Sequence, residues 1–110
     1  MPRYITFFSY TGAAAKAMID RPSDRGAAAK ALAESVGGTL ESFYWMQGAH
    51  DGFLITSLPD GVAAASLAAA AGASGAVVNF ETHEIFDHDQ QAAIVAGAGA
   101  ALKKYTPPTA

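Results

Sequence analysis

The 110-residue chain contains no cysteine, which removes disulfides, thiolate nucleophiles and cysteine-ligated zinc or iron–sulfur centres in one step. Charge is also scarce. Asp, Glu, Lys and Arg make up 15% of the residues, against roughly 25% in ordinary globular domains. So few charges leave little to cover a monomer's surface, and a homo-oligomer is expected. There are only seven Lys and Arg, with no run of them, and the net charge is −3. Phosphate binding needs clustered cations, so nucleic acid is not an expected partner. Long apolar runs are missing too. The Ala-rich stretch 62–78 is shorter than the roughly 20 residues of a membrane span and is interrupted by Gly72, Ser74 and Gly75. No membrane partner is expected. No charged segment leads into an apolar leader core, and a cytoplasmic location follows as the default.

What the chain has in excess is alanine. Hydrophobic residues reach 51%, but alanine buries little area, so core energy must come from Phe, Leu, Ile, Tyr and Trp. The length suits one domain, expected over residues 1–105, with a flexible Pro-rich tail at 106–110.

The central stretch GGTLESFYWMQGAHDGFLITSL, residues 37–58, predicts a β-hairpin. A β-branched and aromatic run at 39–46 meets a turn cluster at 48–52 and a second β-rich run ending before Pro59. Upstream, RYITFFSY predicts a first strand over 3–10. A two-part helix should follow, over 13–19 and 27–36, broken at Pro22 and stopped by Gly37 and Gly38. After the hairpin, Pro59 and Asp60 open a helix over 62–71. The alternating run at 76–86 predicts a fourth strand, with Val77, Asn79, Glu81, His83 and Ile85 on one face. A last helix is expected over 90–104, its Lys103 and Lys104 at the negative C-terminal end.

This order is that of an α+β, ferredoxin-like βαββαβ plait with a four-stranded antiparallel sheet and an extra C-terminal helix. Two helices can cover only one face of such a sheet. Strands one, two and four carry large apolar groups on both faces, and an exposed face of that kind marks an interface. Face-to-face pairing of two sheets, with a cavity between them, is the expected assembly.

The candidate chemistry centres on a few polar and aromatic residues. His83 and Glu81 share a face of the fourth strand, with Asn79 beyond, and could supply an imidazole and a carboxylate for proton transfer. His50 and Asp51 lie in the hairpin turn, where Asp51 could orient an imidazole or simply bond a backbone N–H. Trp45 and Tyr44 alternate on the second strand, so one of them lies on the face away from the helices. With Phe8 they are candidates to hold a flat or apolar ligand. Arg25 could hold a carboxylate, or pair on the surface with Asp24 or Asp20, the simpler expectation. His88, between Asp87 and Asp89, reads as a solvent-facing helix start. No spacing is diagnostic of a metal, so no metal ligands are assigned, and the cofactor is unknown. No Ser-His-Asp or Cys-His arrangement is legible.

The strand RYITFFSYTG, the segment DRGAAAKALAESVGGTLESFYWMQGAHDGFLI and the segment LPDGVAAASLAAAAGASGAVVNFETHEIF resemble the GYD domain family. The family's Gly-Tyr-Asp turn corresponds to Gly48, His50 and Asp51, with His50 where the family usually has Tyr. The resemblance implies a fold of the dimeric α/β-barrel group and an oligomer, and it implies no established reaction. Two functions are therefore expected from sequence. One is a small oligomeric barrel protein binding an apolar or aromatic molecule between paired sheets. The other is a cofactor-free oxygenase, isomerase or lyase in which His83 or His50 carries a proton.

Overall fold

The computed structural model describes residues 1–109. Four strands and four helices follow in the order β1 (Arg3–Tyr10), α1 (Gly12–Asp20), α2 (Arg25–Ser35), β2 (Thr39–Trp45), β3 (Gly52–Ser57), α3 (Gly61–Ala73), β4 (Val77–Ile85) and α4 (His88–Leu102). The tail expected at 106–110 has no helix or strand as far as residue 109, and its last residue lies outside the described residues.

Local chemistry accounts for the element boundaries. The side chain of Thr11 accepts from Ala14 N–H at 3.2 Å, Asp24 from Ala27 N–H at 2.9 Å, and Asp60 from Ala63 N–H at 3.0 Å; each is an N-cap. Pro22 separates α1 from α2, so the expected two-part helix is two helices with separate caps. At the end of α2, Gly37 adopts φ 85°. Gly38 N–H then reaches Ala33 O at 3.0 Å and Gly37 N–H reaches Glu34 O at 3.0 Å, the reciprocal bonds of a Schellman stop. In α4, Asp87 and Gln90 cap each other's backbone N–H groups, both at 2.9 Å, forming a capping box.

The strands form one antiparallel sheet in the order β2-β3-β1-β4. β2 and β4 are its edges, and no pairing joins them among the described residues. The sheet is therefore open, which corrects the barrel expectation carried by the family resemblance. Barrel closure requires strand tilt and stagger around a continuous hydrogen-bonded ring. Here the ladder stops at two free edges.

Register assigns each side chain to a face. Tyr4 pairs with Thr56, Thr6 with Leu54 and Phe8 with Gly52, while Ile5 pairs with Ile55 and Phe7 with Phe53. The first set faces α2 and α3. The second forms the uncovered face, where the Arg3 guanidinium bonds the Glu41 carboxylate at 2.8 Å and Ser57 adds a hydroxyl at 3.0 Å. Between Phe7 and Ser9 the β1–β4 register shifts, so that Asn79 and Phe80 together oppose Phe8. This is a β-bulge, and Asn79 takes φ 56° within it. The strict alternation expected along the fourth strand consequently fails: Glu81 and His83 share a face with Val78, and Val77 turns to the helices.

The core is small and lies toward the Tyr4 end of the sheet. Tyr4, Leu58, Ala63 and Ala64 form it, with Val36 and Leu67 packed against them. Thr56 is 1% exposed and its hydroxyl has no hydrogen-bond partner within the protein. α4 stands apart. Every one of its fifteen residues is exposed, and the molecule extends 59 Å along its longest axis against 31 and 23 Å.

Two outcomes follow. An unpaired buried hydroxyl costs about 1–3 kcal/mol, so Thr56→Val is expected to raise stability by about 1 kcal/mol in urea denaturation; a loss would show that the hydroxyl has a partner. Hydrogen bonding to Arg3 and then to Ser57, together with the guanidinium's charge, outweighs partial burial and lowers the Glu41 pKa below its ordinary 4.5. Stability from this group is therefore present above the ordinary value and lost as pH falls through the lowered one. Glu41→Gln should flatten that acid-side decline, modestly because the pair is exposed. An unchanged slope between about pH 6 and pH 3 would exclude the linkage.

Candidate functional site

The sheet carries an aromatic cluster on each face. On the helix side, Phe8, Tyr10, Trp45 and Phe43 close a ring, with successive centroids 5.5 Å (Phe8–Tyr10), 5.5 Å (Tyr10–Trp45), 5.7 Å (Trp45–Phe43) and 5.6 Å (Phe43–Phe8) apart. These spacings lie within the favourable range for tilted and edge-on aromatic pairs. On the uncovered face, His50 lies 5.5 Å from Phe7, Phe7 lies 5.8 Å from Phe53, and Phe53 stacks on Tyr44 at 5.3 Å. The residues expected to hold one ligand are thus divided. Trp45 and Phe8 face the helices, and Tyr44 and Asn79 face away. No single cavity holds all of them, and in an open sheet no barrel interior gathers them. The expectation of a ligand held inside such a barrel is corrected accordingly.

The expected polar set does come together on the uncovered face. The Nε2 atoms of His50 and His83 lie 3.4 and 3.3 Å from the two carboxylate oxygens of Glu81. The hairpin loop brings His50 across from β4, and its side chain is only 14% exposed, against 55% for Glu81 and 57% for His83. Asn79 Nδ2 contacts Ala49 O at 3.3 Å and His50 Nδ1 at 3.4 Å. A carbonyl can only accept, so the amide nitrogen is the donor here. The two ring nitrogens of His50 thus each have a polar neighbour, the Asn79 amide at Nδ1 and the Glu81 carboxylate at Nε2. A carboxylate set between two imidazoles can take up and pass on a proton. Among the described residues no group of three His, Asp or Glu is placed to hold a metal ion.

Asp51 does something different. Its carboxylate accepts from Tyr10 N–H at 2.8 Å, while its own N–H donates to Phe8 O at 2.8 Å. The side chain ties the hairpin loop to the end of β1, and the structure records no bond from it to His50. His88 begins α4 beside its Asp87 cap and is exposed.

A hollow of about 230 Å³ lies between the sheet and α2/α3. Phe8, Tyr10, Phe43 and Phe80 wall the sheet side, while Ala28, Ala29, Ala68 and Ala71 form much of the helical roof. A single methyl group at each roof position cannot reach the rings below, so space remains where Leu or Ile would have filled it. Arg25 is at the rim, half-buried. Its recorded hydrogen bond runs from Nη1 to Ser23 Oγ at 3.4 Å, and the ion pairs of the described residues do not include it. The surface pair expected with Asp24 or Asp20 is therefore not made. Lys16 holds Asp20 at 2.6 Å, and Asp24 caps α2.

Tyr10, Phe43 and Phe80 are lining residues that sequence reasoning did not single out. Their signal was present as alanine-rich helices following aromatic strands, a combination that leaves volume unfilled.

No curated protein and no solved structure gives a significant match to the chain. The model of the GYD domain family matches residues 4–95, which spans every element from the central strand into α4. The chain belongs to the GYD domain family.

Proposed function

We propose that the chain is a small-molecule-binding protein whose site is the hollow between the sheet and α2/α3. The observation that carries this reading is the aromatic wall facing an alanine roof, around about 230 Å³ of space within a single chain. Ligand sites are typically apolar and larger, about 300–1,000 Å³, so a single ring or a short chain suits this one. Trp45, the only Trp of the chain, packs on Tyr10 and Phe43 of the wall and provides an intrinsic reporter. Ala68→Leu places a larger side chain in the roof. It is expected to raise the thermal midpoint while abolishing the Trp45 fluorescence change produced by small aromatic compounds in the wild type. An equal fluorescence response in both proteins would overturn this assignment.

A second reading concerns assembly and rests on α4. Its Ile94, Val95 and Leu102 are 47%, 60% and 73% exposed, and Gly97 and Gly99 weaken it as an isolated helix. Helices of about 12–15 residues are marginal alone in water, so α4 needs something to pack on. The uncovered sheet face of a second copy is the partner that fits. Four strands present a face about 19 Å wide and 23 Å long, and the fifteen residues of α4 add a strip about 22 Å long and 10 Å wide. Together these approach the roughly 800 Å² per partner of a stable interface. Each sheet keeps its own open edges in such a pair.

Among the described residues no helix is long and apolar enough to cross a membrane. Sedimentation of the full chain is expected to give a dimer. Ile94→Glu with Val95→Glu should give a monomer with shortened helical signal. A wild-type monomer at micromolar concentration would exclude the pairing.

A further inference from the structure

Among the described residues, the cation at the rim of the hollow makes no ion pair. Arg25 begins α2, next to Asp24, and both nearby acids are already engaged: Asp24 accepts from Ala27 N–H and Asp20 from Lys16. The residues lining the hollow between the sheet and α2/α3 include no Asp or Glu. An adjoining hollow shares Tyr10, Arg25 and Ala76 with it and is lined by a second arginine, Arg21, again with no Asp or Glu. A third hollow places Arg25 beside Trp45, Met18 and Pro22, also without an acid. Two guanidinium-bearing residues therefore converge on one corner of a chain whose net charge is −3.

Arg25 is half-buried as a residue, and its guanidinium has the 3.4 Å contact to Ser23 Oγ and no carboxylate. Such a group binds an incoming anion more favourably than a solvated lysine does. Its planar fork matches a carboxylate through two parallel N–H···O bonds. Behind it the hollow is aromatic and aliphatic. Thr6 and Ser74 add hydroxyls to the lining.

Resting on the binding reading above, we infer that the ligand is a small carboxylic acid with an apolar or aromatic body, whose carboxylate sits on Arg25 and whose body enters the hollow against Phe8, Phe43 and Phe80. The acid is ionised when bound, and no bond is made or broken. Arg21 contributes attraction from the adjoining hollow and makes no direct contact in this assignment.

The probes are phenylacetate, benzoate and hexanoate, each paired with its neutral amide, titrated into the full chain by calorimetry. Arg25→Gln removes the charge, Arg25→Lys keeps it without the fork, and the melting midpoint of each ligand-free variant confirms that it folds. The expected result is that at least one acid binds the wild type about tenfold or more tighter than its amide. Arg25→Gln should abolish that preference, bringing the acid to the affinity of its amide, with Arg25→Lys intermediate. Equal affinity for acid and amide, unchanged by Arg25→Gln, would overturn the carboxylate assignment and leave the hollow as a site for neutral molecules. Tighter binding of phenyl phosphate than of every acid would also overturn it. Failure of all acids and amides would overturn the binding reading itself, and the carboxylate assignment with it.

Discussion

The structure depends on a mismatch of volume between its two layers. The sheet contributes Tyr4, Phe8, Tyr10, Phe43, Phe80 and Leu54 toward the helices, and α2 and α3 answer mainly with alanine. Where a helix lies close, as Ala33, Ala63 and Ala64 do toward the Tyr4 end, the small side chain permits close approach and these alanines are buried. Toward the Tyr10 end the same side chain is too short and a hollow remains. Apolar composition alone would place this chain among well-cored domains. Side-chain size sets where this helical layer closes on the sheet and where it leaves space.

Most of the fold was legible in the sequence because its signals are local. Thr11, Asp24, Asp60 and Asp87 each cap the helix that follows, Gly37 and Gly38 close α2, and the β-branched and aromatic runs are the strands. Closure of the sheet was not legible. It depends on tilt and stagger summed over all strands, and residue types at individual positions carry almost none of that information. The bulge at Asn79 and Phe80 was equally hidden, since alternation in the sequence continues undisturbed through it.

The candidate site divides along the same line. His83 and Glu81 sit two apart on one strand, so their common face could be read directly. His50 joins them across 31 positions only because the hairpin loop folds back over β1, where Asp51 pins it to Tyr10 N–H. Trp45 and Tyr44 were readable as opposite-facing neighbours, but which of them met the helices depended on register. Arg25 was misjudged because two acids stand close to it in sequence, and both turn out to be occupied elsewhere. Proximity along the chain overstated the pairing, and capping chemistry decided it.

The bulge in β4 makes the two faces of the sheet separately adjustable. Because Asn79 and Phe80 together stand opposite Phe8, residues before the bulge and residues after it follow opposite parities. Simple alternation through the same residues, without the bulge, would send Val77 to the face of Glu81 and His83, and Val78 into the hollow. The bulge therefore matches the aromatic hollow on one side to the imidazole–carboxylate row on the other. The same residues paired without the bulge would present a different combination of faces from an unchanged composition.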